Sequence, residues 1–171
     1  MVAAMPGGSI ADLIDDLLRA PKTLGGAPVW QDIGYNLQRL VMPLYVDGAS
    51  TNAELQVLGF PISGHAWYRI LICAPKCVWR IDHVHDERHV NSFNRPVNLA
   101  EHDFTCPHYH AWSDNRRFCT PATLPDRLEN ARILPASLRS FDSVFRWFCA
   151  ETNIGQPPNG LIALPPRTTL L

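Results

Sequence analysis

"AWYRILICAPKCVWRIDHVH", Ala66 to His85, decides how this 171-residue chain folds. Ala66–Cys73 and Cys77–His85 are rich in β-branched, aromatic and apolar residues, which favour strands. Only Ala74-Pro75-Lys76 separates them, so the stretch predicts a tight β-hairpin. Two similar runs come earlier, at about 37–46 and 54–60. The turn-forming segments "DGASTN" and "PISG" follow them. Short links between consecutive strands imply an antiparallel meander.

Helices are expected at both ends of this sheet. Ser9 can cap a helix with Asp12 three residues on, and Ile10, Leu13, Ile14, Leu17 and Leu18 then share one face. Pro21 and Gly25-Gly26 end it. Near the other end, Ser137 is the expected cap of a helix with apolar Leu138, Phe141, Val144, Phe145 and Phe148, stopping at Asn153-Ile154-Gly155. The segment 86–105 is polar and reads as a long loop, a type often functional in a compact domain. A fifth strand is expected over about 107–112. The fold class is therefore α+β: a curled antiparallel meander of about five strands with an N-terminal and a C-terminal amphipathic helix. Residues 1–155 form one domain, and 156–171 is an extended Pro-rich tail.

Composition limits the functional classes. Hydrophobic residues make up 46% and charged residues 18%, a globular balance. The net charge of −1 offers no bulk attraction to nucleic acid or membrane. Between Arg80 and Arg117, five arginines (80, 88, 95, 116, 117) face six acids (Asp82, Asp86, Glu87, Glu101, Asp103, Asp114). A nucleic-acid role would rest on individual contacts. Five unevenly spaced cysteines argue against a secreted disulfide framework, and "MVAAMPGGS" lacks the pattern of a signal peptide. A soluble, cytoplasmic protein with no membrane association is expected. Cys73 and Cys77 straddle the hairpin turn and make a weak zinc half-site. Cys119, Cys149 and His65 read as structural.

Six of the seven histidines lie between His83 and His110. Strand side chains alternate faces. In Cys77–His85, Cys77, Trp79, Ile81, His83 and His85 share one face, with Val78, Arg80, Asp82 and Val84 on the other. In "CPHYHAW", Cys106, His108, His110 and Trp112 share a face. If both runs join one sheet, His83, His85, His108 and His110 can converge. Neighbours on one strand face stand nearly 7 Å apart, so "CPHYHAW" alone is half a site at most.

Three chemistries fit. Two of these histidines can act as general acid and base on a phosphodiester, with Arg80 or Arg88 stabilising the developing charge and Asp82 orienting an imidazole. Alternatively, Cys106, His108 and His110, with an upstream His or Asp, can hold a divalent metal, zinc or magnesium. Arg116 and Arg117 can clamp a phosphate or sit in a solvated turn. In the third reading these are tolerated strand residues, Arg80–Asp82 is a solvated ion pair, and Trp67, Tyr68 and Trp79 pack the core. The clustering favours a site. Asn91, Asn94 and Asn98 read first as turn formers.

The segments "WYRILICAPKCVWRID", "PHYH" and "RSFDSVFRWF" resemble the TumE-like toxin family and other small HxH-bearing domains of toxin–antitoxin loci. That resemblance implies an RNA-cleaving toxin with a neutralising protein partner, and Asp82, His108 and His110 as site positions. "IDHVHDERHVNSFNRPVNLAEHDFTCPHYHAW" is also similar to an HNH nuclease core. There His83 would be the general base, Asn98 would orient it, and Asp82 with His108 or His110 would hold the metal. Such a core would place a helix where the meander reading places the HxH strand. From the residues and the first resemblance, the leading expectation is a ribonuclease-like protein acting on RNA or another nucleic acid. The alternative is a non-catalytic binding or inhibitor protein whose His/Cys cluster is structural.

Overall fold

The computed structural model describes residues 8–60, 67–156 and 162–165, and shows an α+β fold. Helix α1 spans Ile10–Arg19. Asp12 N donates to Ser9 Oγ at 3.3 Å, and Ser9 N donates to the Asp12 carboxylate at 3.0 Å, closing the expected capping box. At the other end, Lys22 Nζ donates to the carbonyls of Leu17, Leu18 and Ala20 at 2.7, 3.1 and 2.7 Å. These are orphan acceptors of the last turn, and the buried ammonium satisfies them.

Strands β1 (Lys22–Leu24) and β2 (Trp30–Asp32) both pair with one edge of β3 (Gln38–Val46). Then follow β4 (Ala49–Phe60), β5 (Trp67–Cys73) and β6 (Cys77–His83), each antiparallel to the last, as the turn chemistry predicts. The chain next leaves the sheet. The expected loop 86–105 instead holds two short strands, β7 (Arg88–Val90) and β8 (Asp103–Thr105), paired as a separate sheet. Three residues are too few for an alternation to stand out, so these strands leave no usable period in the sequence. The chain returns as β9 (His108–His110), beside β6, and β10 (Arg132–Ile133) closes that edge. β9 is shorter than expected: Trp112 already begins α2 (Trp112–Asn115).

Helix α3 spans Phe141–Glu151, and its cap is Ser140, not Ser137. Ser140 and Ser143 cap reciprocally, whereas Leu138 N closes a turn onto Pro135 O at 2.9 Å. Leu138 therefore precedes the helix. Leu40, Met42, Leu55, Val57, Ile70, Ile72, Trp79 and Ile81 line one face of the large sheet, and Ile14, Val144, Phe145 and Phe148 cover it. Phe148 meets Trp79 edge-on at 5.1 Å. Of the expected tail, Ile162 is buried in this core and Trp30 Nε1 donates to Ala163 O at 2.9 Å. His65 lies outside the described residues. Among the described residues, no helix is long and apolar enough to cross a membrane.

Candidate functional site

The cluster stands on the opposite face of the sheet from the helices, and strand register puts it there. Tyr109 pairs with Ile81, which places it on the core face, stacked on Trp79 at 5.5 Å and edge-on to Trp147 at 4.9 Å. Its neighbours His108 and His110 must then point the other way. Each lands beside a charged partner: His108 faces Asp82, and His110 faces Arg80. On the far side of β6, Arg69 faces Asp82. Arg69, Asp82 and His108 thus form one row across three strands.

This register overturns the expected convergence of four histidines. His83 shares the core face with Tyr68, stacked on that ring at 4.5 Å, and His85 meets His83 edge-on at 5.1 Å. Alternation holds along β6 and β9, but Trp112, expected on the face of His108 and His110, turns into helix α2 and packs in the core. The relative phase of β6 and β9 differs by one residue from the expected one, which exchanges the faces. The His108–His110 run is a strand, as the meander reading expected.

Asp82 is fully buried. Its Oδ1 lies 2.8 Å from Arg69 Nε, and its Oδ2 lies 2.7 Å from Arg80 Nε, 3.2 Å from His110 Nε2 and 3.4 Å from His108 Nε2. Arg69 also grips Glu87 at 2.8 and 2.9 Å. The reading of Arg80–Asp82 as a solvated pair therefore fails. Burial alone would raise the Asp82 carboxyl, but the polar surroundings of His108 and His110 and the Arg80 charge more than offset this and hold it below the usual carboxylate range.

Backbone carbonyls fix both imidazoles. His108 Nδ1 donates to Cys106 O at 2.9 Å, and His110 Nδ1 donates to Asn130 O at 3.1 Å. Arg80 donates an N–H to His110 Nε2 at 2.9 Å. A guanidinium can only donate and a carbonyl can only accept, so His110 is the neutral Nδ1–H tautomer. Burial pushes its pKa down to about 4, with Asp82 opposing.

His89 completes the group from strand β7. Its ring lies 5.0 Å from that of His108 and 4.9 Å from that of His110. One ligand-capable nitrogen from each of the three lies within 4.8 Å of the others. Burial pushes His89 down, and the nearby His108 adds to this. Asn91 holds the ring through Oδ1 at 3.0 Å, and its amide also bonds Glu101 O, Ala131 O and Ala131 N. Asn91 is thus a buried strut and not a simple turn former. Asn130 does the same work opposite, linking Ser92, Asp114 and Asn115.

Compared with family models, with curated proteins and with solved structures, the chain matches none.

The other expected site residues stand elsewhere. Arg88 pairs with Asp103 on the exposed side of the β7–β8 arm. Arg116 is committed to Asp12 and Asp15 of α1 at 2.7 Å each. Arg117 donates to Asn94 O. Cys106 joins the site through its carbonyl, while His89 takes the place expected for its thiol in the group able to hold a metal. Asn98 is exposed on the arm. Sequence reasoning missed His89, Arg69 and Asn130. His89 sat inside the presumed loop, and Asn130 contacts the site from 20 residues away.

Proposed function

We propose that the chain is a phosphodiester-cleaving protein of ribonuclease type, working at the Asp82–His108–His110 cluster. The supporting observation is the Asp82 carboxylate buried between two guanidiniums and two oriented imidazoles. A buried ion cluster of this kind is costly to assemble and contributes little net stability, so a chemical role accounts for it better than a packing one. Imidazoles supply groups that exchange protons or bind a metal near neutral pH, and guanidiniums stabilise charge on phosphate oxygens. The β7–β8 arm covers the cluster through His89, so that arm must lift for a phosphate to enter. A nucleic-acid substrate, a neutralising protein partner that blocks the cluster and a cytoplasmic setting belong to this same proposal.

A second reading rests on burial. His108 and His110 are both buried, which suits a non-catalytic binding protein whose cluster only ties the arm to the sheet. The two readings diverge in one experiment. Wild type, Asp82→Asn and His108→Asn are incubated with single-stranded RNA and with DNA. Cleavage of RNA by wild type, reduced about 100-fold or more in each variant, is expected. An inert wild type would reject the enzyme.

A further inference from the structure

The acceptor atoms of this cluster point at one another. His108 and His110 each give their Nδ1 proton to a backbone carbonyl, so each turns Nε2 inward. Both Nε2 atoms face Asp82 Oδ2, at 3.4 and 3.2 Å. A carboxylate oxygen against two imidazole lone pairs is unfavourable unless positive charge lies among them. Arg80 supplies part of it, through one N–H on His110. His108 Nε2 faces the Asp82 carboxylate.

From this geometry we propose that His89, His108 and His110 bind a divalent ion of the zinc class, with Asp82 as the anionic fourth donor. The inference rests on the reading above in taking this cluster as the working centre. Four donors arranged tetrahedrally at zinc–nitrogen distances stand about 3.3 Å apart. Asp82 Oδ2 already stands at that spacing from both Nε2 atoms. The three imidazole donors lie within 4.8 Å of one another, so the His89 ring must close inward when the ion binds. Carbonyl bonds to the Nδ1 atoms are the support that orients histidine ligands in metal sites. Three nitrogen donors select zinc over magnesium, which prefers oxygen. Arg80 is the competitor: its N–H leaves His110 Nε2 when the ion enters, while its Nε stays on Asp82. The adjacent Arg69 and Arg80 charges are already matched by Asp82 and Glu87.

The test uses zinc chloride and cobalt chloride with the full chain. After loading and gel filtration, wild type should retain about one zinc per chain, and its cobalt form should show tetrahedral d–d absorption without thiolate charge transfer. His89→Ala should bind at least about tenfold more weakly, and Cys106→Ala should bind like wild type. Unstoichiometric retention, an octahedral cobalt spectrum, or unchanged affinity in folded His89→Ala overturns the proposal. If His89→Ala fails to fold, the wild-type cobalt spectrum and the Cys106→Ala affinity still decide it. Stoichiometric, tetrahedral zinc in a protein that cuts no RNA keeps the ion and rejects the phosphodiester reading. RNA cleavage by a protein that takes up no zinc rejects the ion alone.

Discussion

Arg80 donates to His110 Nε2 at 2.9 Å while its Nε holds Asp82 at 2.7 Å. One guanidinium thus fixes the tautomer of an imidazole and adds to the charge that keeps a carboxylate ionised. Replacing it should separate these effects. Arg80→Met leaves Asp82 with Arg69 as its guanidinium partner and should lower stability by roughly 2–4 kcal/mol. The same change removes a like charge and a competing donor, so zinc affinity should rise. Urea unfolding and zinc titration of this one variant check the opposite signs.

Acid should destabilise the metal-free protein in two steps. The folded pKa of His110 is about 4 against an ordinary 6.5, so between these values the unfolded chain binds more protons. Stability therefore falls as pH drops from about 6.5 to 4, by up to about 3 kcal/mol. Asp82 is also lowered, so its contribution is present above the ordinary carboxylate pKa and is lost at more acidic pH. Urea midpoints at pH 7, 5.5 and 4.5 should decline for wild type. His110→Asn should start lower and lose the upper step; an unchanged slope in that variant would assign the step to another group.

The arm depends on Asn91. Its amide joins His89, Glu101 and Ala131 and is buried. Asn91→Ala leaves several of these groups without partners, at about 1–3 kcal/mol for each unsatisfied buried group. Amide exchange should accelerate across residues 88–105 and stay slow in β4 and β5. Zinc affinity should fall about tenfold through loss of His89 orientation.

Lys22 offers a contrast far from the cluster. Lys22→Met keeps the aliphatic stem but strips three α1 carbonyls of their donor. Thermal unfolding should show a loss of about 2–3 kcal/mol. Zinc retention and any RNA cleavage should stay at wild-type levels, because the substitution acts only on the helix end.

Local chemistry made several elements legible in the sequence. The Ser9–Asp12 box, the Ala74-Pro75-Lys76 turn and the alternating β3–β6 runs are each set within a few residues. Asp82, His108 and His110 stood out by type and spacing, and the structure does bring them together. Their companions were hidden. His89 lies in a segment whose two strands are three residues long, and nothing in the sequence around Arg69 marks it as a partner of Asp82.

The sequence by itself determined the α+β class, the hairpin and the parity of side chains along each strand, because these follow from backbone geometry and near neighbours. Only the tertiary structure decided which face His108 and His110 occupy. That choice is made by Tyr109 packing between Trp79 and Trp147, a contact between segments far apart in the chain. The aromatic ring takes the core side because burial favours it, and the imidazoles are left to meet Asp82.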